Sequence, residues 1–162
     1  MVSVEPPGTY VLILHLSGEA NISIGRLGTF GLPVGYYLYV GSARGPGGLR
    51  ARLQRHLRRE KPQHWHIDYL LSISNVVEVW STVSPRRLEC LWAQVLLKMP
   101  GAHTPALRFG SSDCGCPTHL IHFTSQPSLQ LFGRHLRASG LGHRLSTDSA
   151  GERHYPLSDS RR

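Results

Sequence analysis

The stretch Tyr10-Val-Leu-Ile-Leu-His-Leu16 decides the fold of this chain. Apart from His15, all of its residues are apolar, so the segment is apolar on both faces when it is extended. Such a strand is typical of the middle of a sheet that other elements cover on both sides. We therefore predict a central strand over these residues.

Two further segments have the composition of core strands. Residues 36–40 follow a glycine-rich stretch, and residues 76–83 are rich in β-branched side chains. After the first strand, the turn Ser17-Gly18-Glu19-Ala20 predicts a hairpin that leads into residues 21–27. Residues 28–35 contain three glycines and a proline, which predicts a loop before the second core strand.

Four segments predict helices around these strands. Leu49, Leu53 and Leu57 recur at the spacing of one helix face, in a helix expected to end near residue 59. A second, short helix is expected at 64–71 and another at 129–138. A helix between these two is expected to begin at Ser84-Pro85, where a capping hydroxyl precedes an early proline. A loop at 101–117 and a short strand at 118–123 follow it. The pattern predicts a mixed α/β fold.

The length of 162 residues suffices for one domain with a hydrophobic core and a modest extension. We expect residues 1–125 to form the domain and residues 126–162 to form a C-terminal extension. Roughly the last 20 residues are polar and offer little apolar surface, so we expect a mobile tail there.

The chain carries 18 Lys and Arg against 10 Asp and Glu, a net charge of +8. This excess favours a polyanionic partner, either nucleic acid or an acidic membrane surface. No segment approaches the roughly 20 apolar residues that span a bilayer, and no secretion signal precedes the first strand. We therefore expect a soluble, cytoplasmic protein that does not insert into membranes.

Much of the positive charge lies on the first helix and its exit. There Glu60 alone opposes six basic residues, which are Arg50, Arg52, Arg55, Arg58, Arg59 and Lys61. Such a face can simply be solvated. Its position beside the glycine-rich loop that holds Ser42 and Arg44 favours contact with a nucleic-acid backbone instead. Contacts of this kind position a duplex or strand without reading its base sequence.

A candidate hydrolytic site lies around the same loop. Cleaving a phosphodiester needs a group that orients water, a cation for the charge that builds on the phosphate, and commonly a divalent metal on a carboxylate. The residues that offer these groups are Tyr10 and Tyr39 on two strands, Arg52 and His56 one turn apart, and Glu89. Glu89 is the single carboxylate of its predicted helix and suits Mg²⁺ or Mn²⁺, with other ligands from water and phosphate.

These residues carry a family resemblance. Gly8-Thr9-Tyr10, Tyr39-Val40-Gly41, Arg52 within Leu49-Arg-Ala-Arg-Leu-Gln-Arg-His56, and Glu89 resemble the GIY-YIG nuclease superfamily in order and approximate spacing. The strings Tyr39-Val-Gly-Ser-Ala43, His64-Trp-His-Ile-Asp-Tyr-Leu-Leu71 and Phe109-Gly-Ser-Ser-Asp-Cys-Gly-Cys116 are similar to one small branch of it. Threonine and valine replace the isoleucines of the family's name, and the glycine-rich loop is longer.

The resemblance implies a compact α/β domain with a central three-stranded antiparallel sheet flanked by helices, here with an extra N-terminal hairpin. In the family's pattern Tyr10 and Tyr39 bind or activate the attacking water, Arg52 stabilises the charged phosphorane, Glu89 binds the metal and His56 assists proton transfer. Because an unperturbed tyrosine has a pKa of about 10, placement of the water is favoured over removal of its proton.

The expected function is therefore that of a metal-dependent endonuclease, with DNA as the favoured substrate and DNA repair as the setting. Two alternatives stay open at this point. The first is a non-catalytic nucleic-acid-binding module, stabilised by zinc, that keeps the scaffold and the basic helix. The second is an accessory interaction domain of a repair enzyme.

The cysteines and histidines raise a separate question about metal. Three cysteines without a secretion signal favour reduced thiols or metal ligands over disulfides. Cys114-x-Cys116-x-x-His119-x-x-His122 offers ligands that suit zinc, but the spacing departs from common zinc motifs. On a strand, His119 and His122 would point to opposite faces, so a zinc site is not favoured. Cys90, in the middle of a predicted helix, is interpreted as packing.

A second group, His64, His66 and Asp68, could also ligate a metal ion. On a helix His64 and Asp68 would share a face. Structural hydrogen bonding is the favoured role for these three residues.

Overall fold

The structure is a computed structural model that describes residues 5–142 and 144–149. It is a mixed α/β domain. The strands are β1 (Gly8–Leu16), β2 (Ala20–Ile24), β3 (Gly28–Leu32), β4 (Gly35–Ala43), β5 (Asn75–Val83), β6 (Leu120–Phe123) and β7 (Ser146–Ser149). The helices are α1 (Gly48–Leu57), α2 (His66–Leu71), α3 (Glu89–Leu97) and α4 (Leu129–Ala138).

The strands form two antiparallel sheets. The larger has five strands in the order β6-β4-β1-β5-β7, and β2 pairs with β3 in a separate hairpin. The three strands at its centre are the predicted core strands, with β1 in the middle, as its apolar run indicated. The sheet is larger than the three strands expected because β6 and β7 add one edge strand each. A hairpin does lie between the strands of Tyr10 and Tyr39, but β2 forms it with β3, and not with β1 across the turn at residues 17–20 as was predicted.

Both faces of β1 are buried, because alternate side chains of a strand point to opposite faces. Tyr10, Leu12 and Leu14 pack in one core with residues of α1, α2 and the hairpin. Val11 and Ile13 pack in a second core with α3 and α4. The candidate site lies on the face of the sheet that the first core covers.

Helix α4, predicted to lie in the C-terminal extension, packs in the second core. The ring of Phe132 stacks on Trp80 with 5.2 Å between centroids and meets Trp92 edge-on at 5.3 Å. All three side chains are fully buried. The predicted bounds of this helix, residues 129–138, are those observed.

Two local predictions are wrong. Residues 28–32 were predicted as loop because of their glycines, yet they form β3, whose backbone pairs with β2 from Ala20↔Leu32 to Ile24↔Gly28. The helix predicted from Ser84 begins at Glu89. The Ser84 hydroxyl accepts a hydrogen bond from the N–H of Arg86, only two residues on, and therefore stabilises a turn ahead of the helix.

A strand, β7, lies within the residues that were predicted to form a mobile tail. This strand pairs with β5. The hydroxyl of Thr147 donates to the carboxylate of Glu78, and the hydroxyl of Thr82 donates to the carbonyl of Arg144. Backbone pairing of this kind needs little apolar surface. The rest of the predicted tail, residues 143 and 150–162, lies outside the described residues.

Across residues 5–142 and 144–149, no helix has the length and apolar character that crossing a membrane requires.

Candidate active site

The pairing of β1 with β4 brings the two motif tyrosines onto one face of the sheet. Tyr10 lies opposite Gly41 and Tyr39 lies opposite Leu12, so the two phenols are diagonal neighbours with 6.5 Å between ring centroids. A Cβ atom at Gly41 would lie 2.3 Å from the Tyr10 hydroxyl and 2.4 Å from its ring carbon Cζ. The Tyr10 ring therefore requires a glycine in the Tyr39-Val40-Gly41 motif.

His56, in the last turn of α1, completes a three-ring cluster with Tyr10 and Tyr39. Its Nε2 lies 2.7 Å from the Tyr10 hydroxyl, and its ring centroid lies 6.3 Å from that of Tyr39. Tyr10 is 1% exposed and His56 is 2% exposed, whereas Tyr39 is half-buried. Of the two tyrosines, Tyr39 is therefore the one with solvent-accessible surface.

Burial governs protonation in this cluster. It raises the pKa of Tyr10 to about 12 and raises the pKa of Tyr39 well above its usual value. Burial, together with the positive charge of Arg52, lowers the pKa of His56 to about 3. At neutral pH all three side chains are uncharged, because a phenol is neutral below its pKa and an imidazole is neutral above its pKa.

Arg52 lies one helical turn before His56 and borders the cluster. Its guanidinium donates to the carbonyl of Ser42 at 3.0 Å, and its Cζ atom lies 4.4 Å from the centre of the Trp65 ring. Its charge and a hydrogen bond from it partly offset the rise in the pKa of Tyr10. A half-buried guanidinium held in this way is a preorganised partner for a phosphate group.

Glu89 occupies the first turn of α3 and is half-buried. Burial raises the pKa of its carboxyl, and the charges of Arg87, Arg44 and Arg52 oppose that rise. The negative charge of Glu89 in turn raises the pKa of both motif tyrosines. The carboxylate therefore lies within electrostatic range of the three-ring cluster and of the guanidinium beside it.

The predicted catalytic residues thus come from four elements of the structure. They are Tyr10 on β1, Tyr39 on β4, Arg52 and His56 on α1, and Glu89 on α3. Sequence reasoning did not single out Trp65, whose ring lies 4.1 Å from the Arg55 Cζ atom, 4.4 Å from that of Arg52 and 5.7 Å from the His56 ring. A tryptophan just before a short helix has no spacing signal that distinguishes it from ordinary packing.

The residues predicted to bind a nucleic-acid backbone fall into three groups. The first group already has partners within the protein. Arg55 forms a bidentate ion pair with Asp68, and the amine of Lys61 donates to the carbonyls of His56 and Arg58. The second group is exposed and consists of Arg44, Arg58 and Arg59. Ser42 and Arg50 are half-buried, and the Ser42 carbonyl accepts from Arg52. The exposed arginines are the members of this set best placed to meet a polyanion.

An open cavity of about 800 Å³ lies at the C-terminal end of α1, and its basic lining consists of Arg55, Arg58, Arg59 and Lys61, with His56 at its inner wall. Tyr10, Tyr39 and Glu89 do not line this cavity. It therefore adjoins the three-ring cluster through His56 and supplies positive surface next to it. The two phenols and the Glu89 carboxylate therefore lie outside the cavity lining.

Asp68 and its neighbours have the structural role that the sequence favoured. The Asp68 carboxylate accepts hydrogen bonds from the backbone N–H groups of His64 and Trp65, each at 2.9 Å, and from Arg55. His66 Nδ1 accepts a hydrogen bond from the N–H of Gly110 at 2.9 Å. Structural hydrogen bonding by Asp68 and His66 is confirmed.

Cys90, Cys114, Cys116 and His119 form a cluster whose four potential ligand atoms lie within 4.8 Å of one another. Cys90 is half-buried, as the packing interpretation expected, but its thiol also belongs to this cluster, which the sequence did not indicate. α3 brings its thiol to the loop that holds the other two cysteines. His122, the last residue of the predicted motif, lies elsewhere, and its Nε2 is 3.0 Å from the carbonyl oxygen of Val34. The cluster could hold a metal ion.

The family model described as "Domain of unknown function DUF123" matches residues 9–139 of the chain. The matched range includes the five candidate catalytic residues and the whole cysteine cluster. A search of the curated proteins and a search of the solved structures returned no match.

Proposed function

The chain belongs to the family described as a domain of unknown function, DUF123, and we propose that it is a metal-dependent endonuclease of the GIY-YIG type. In this proposal it hydrolyses phosphodiester bonds of nucleic acid, with DNA as the expected substrate and water as the nucleophile. The observation that carries the proposal is the cluster of Tyr10, Tyr39, His56 and Arg52 on one face of the sheet, with Glu89 near enough for its charge to act on both tyrosines.

Tyr39 is the tyrosine that contacts the attacking water, because it is only half-buried while Tyr10 and His56 are buried. Tyr10 and His56 are then positioning residues. Their mutual hydrogen bond fixes the two rings beside Tyr39. The raised pKa of Tyr39 keeps its hydroxyl protonated at neutral pH. It therefore orients the water by hydrogen bonding and does not remove its proton.

Arg52 stabilises the charge that builds on the phosphate oxygens during attack. Its guanidinium is held by the Ser42 carbonyl and by the face of Trp65 before any substrate arrives. A cation that is already oriented needs little reorganisation when the charge develops, and this is the main source of electrostatic catalysis. Trp65 is accordingly a positioning residue for Arg52.

Glu89 is the residue that would hold a divalent ion, Mg²⁺ or Mn²⁺. One half-buried carboxylate leaves most coordination positions to water and substrate, which suits Mg²⁺. When bound, the ion supplies positive charge to phosphate oxygens and lowers the pKa of coordinated water. The charges of Arg44, Arg52 and Arg87 act on Glu89 as well, and they disfavour a lone cation while favouring a phosphate. We therefore expect the ion to bind more tightly when the nucleic acid is present.

The exposed arginines Arg44, Arg58 and Arg59 supply the contact with the nucleic-acid backbone. Arg58 and Arg59 line the basic cavity next to His56, and Arg44 is near enough to Glu89 for its charge to act on that carboxyl. Contacts with phosphates make such binding weaken as the salt concentration rises.

The test is a cleavage assay with the purified chain and nicked, branched and single-stranded DNA in the presence of Mg²⁺. We expect Glu89→Gln to slow cleavage by roughly a hundredfold or more, because it removes the metal-binding charge while keeping the shape of the side chain. Glu60→Gln is the matched control, since Glu60 is an exposed glutamate at the end of the basic segment. This control should cleave at the rate of the unmodified protein.

The same assay separates the proposal from its main rival, a non-catalytic nucleic-acid-binding module. Binding that is equal in the unmodified chain and in Glu89→Gln, with no cleavage by either in Mg²⁺ or Mn²⁺, supports the module. Cleavage by Glu89→Gln at the unmodified rate contradicts the assignment of the site. RNA versions of the three substrates, run alongside, test the expectation of DNA.

A further inference from the structure

The cluster of Cys90, Cys114, Cys116 and His119 has the dimensions of a tetrahedral metal site. Nε2 of His119 lies 3.5 Å from the sulfur of Cys114 and 3.7 Å from that of Cys90. In a tetrahedral zinc site with usual bond lengths, a nitrogen and a sulfur ligand are about 3.6 Å apart and two sulfurs are about 3.8 Å apart. The side chains therefore stand close to the positions that zinc requires.

We propose that these four residues bind one zinc ion as a closed Cys₃His site. Zinc would replace the three thiol protons, which pass to solvent, and coordinate three thiolates and one neutral imidazole. Four protein ligands complete the tetrahedron and leave no position for water or substrate. The site is therefore structural, and it is separate from the divalent ion proposed at Glu89.

The loop around the cluster is already organised for ligation. The guanidinium of Arg108 donates to the carbonyls of Cys114 at 2.9 Å and Cys116 at 3.0 Å. Its positive charge offsets the net charge of −1 that a zinc ion with three thiolates would carry. The backbone N–H of His119 donates to the carbonyl of Phe109 at 2.8 Å, which fixes the backbone that carries the imidazole.

The position of His119 distinguishes this arrangement from a disulfide. A disulfide would use two of the three cysteines and would give the histidine no function, yet the imidazole nitrogen faces two of the sulfurs. All three cysteines are unpaired in the structure. A metal ion is the ligand that uses all four groups at once.

The zinc site would connect α3, which carries Glu89, to the loop that packs on Tyr39. Cys90 follows Glu89 directly on α3. The loop that holds the other ligands packs on Tyr39 through Phe109, whose ring centroid lies 6.1 Å from that of Tyr39, and through Gly110. This consequence, unlike zinc binding itself, rests on the proposed nuclease function.

The experiment measures metal content in the purified chain by elemental analysis. We expect about one zinc ion per chain in the unmodified protein and at least a tenfold lower content in Cys114→Ser and in Cys90→Ser. His103→Gln is the control, because His103 is an exposed histidine outside the cluster. It should keep its zinc. In the unmodified chain, cobalt substituted for zinc should give the visible absorption of tetrahedral thiolate ligation.

Several outcomes would overturn the site. They are one zinc per chain retained by both serine variants, iron in place of zinc, or a chain that takes up no zinc when refolded with it. If the serine variants do not fold, the unmodified chain is stripped with a chelator and titrated with cobalt. The tetrahedral spectrum at one equivalent supports the site, and its absence contradicts it. Zinc binding without cleavage of any nucleic acid refutes the nuclease and leaves the zinc site standing.

Discussion

At the scale of single residues, Gly41 determines where the Tyr10 ring can lie. The phenol passes directly over the glycine, so a methyl group there would overlap both the hydroxyl and Cζ. Tyr10 has no free space to move into, because it is 1% exposed and packed in the first core. The hydrogen bond between Tyr10 and His56 therefore depends on the absence of a side chain on the neighbouring strand.

We expect Gly41→Ala to destabilise the protein by about 1 to 3 kcal/mol through overpacking. It should also reduce any nuclease activity, because the displaced phenol loses His56. Urea unfolding measures the first effect and the cleavage assay measures the second. Gly45→Ala is a matched control, since a Cβ atom at Gly45 would contact nothing within 4 Å.

A double-mutant cycle tests whether the ring causes the effect of Gly41→Ala. In a Tyr10→Ala background the overlap is gone, so Gly41→Ala should cost much less there than in the unmodified chain. If Gly41→Ala lowers the free energy of unfolding equally in the two backgrounds, overlap with the Tyr10 ring is not the cause.

At the scale of elements, Asp68 joins α2 to the end of α1. Burial alone would raise the pKa of Asp68, but the hydrogen bonds from Arg55, Trp65 and His64 outweigh it and lower the pKa from 3.8 to about 2. A carboxyl whose pKa is lower in the folded protein stabilises the fold at every pH above its ordinary value. That contribution declines as the pH falls from 3.8 towards 2.

Asp68→Asn should therefore lower the free energy of unfolding by on the order of 3 kcal/mol at neutral pH, because it leaves Arg55 half-buried without its carboxylate. The difference from the unmodified protein should shrink as the pH falls through the range from 3.8 to 2. Urea unfolding at a series of pH values measures it. Glu19→Gln, on an exposed turn, should show no such dependence; a difference for Asp68→Asn that stays constant down to pH 2 would contradict the assignment.

Elements with an apolar pattern were predictable from the sequence, and elements held by backbone pairing were not. β1 and α4 bury runs of apolar side chains, and this pattern is visible in a single sequence. β3 and β7 are stabilised by pairing with β2 and β5, and their glycines and polar residues indicated loop and tail. The start of α3 was placed five residues early because a serine followed by a proline also forms a turn.

At the scale of the whole molecule, Glu78 joins three parts of the chain. Its carboxylate accepts from the indole N–H of Trp80 at 2.7 Å, from the hydroxyl of Thr147 at 2.8 Å and from the amide of Gln126 at 2.8 Å. It therefore holds together β5, β7 and the segment that leads into α4. Trp80 is fully buried, so its N–H depends on this partner.

We expect Glu78→Ala to destabilise the protein by about 1 to 3 kcal/mol, because the Trp80 N–H loses its hydrogen bond. It should also increase hydrogen exchange in β7 relative to β1. Thermal unfolding and amide exchange measure the two effects. Glu5→Ala, at a half-buried position outside the sheet, is the comparison. An equal loss of stability in Glu5→Ala would show that the hydrogen bonds of Glu78 are not the cause.

The candidate site was predictable where its residues belong to an ordered motif. Tyr10, Tyr39, Arg52, His56 and Glu89 were assigned from their order and spacing, and the fold brings them together. The sequence could not show which of these side chains are buried and which are accessible, because exposure depends on how α1 lies on the sheet. Cys90 could not be assigned in advance, since its partners lie more than twenty residues away in a loop.

The contact between Tyr39 and the loop at Phe109 and Gly110 has a consequence for biosynthesis. During translation, all five candidate residues leave the ribosome before the loop that fixes Tyr39, and before β6, which pairs with β4. The proposed cutting site is therefore completed only after residues 109–123 have been synthesised. A nascent chain that has not yet reached this loop, beside its own messenger RNA, would not be a working nuclease.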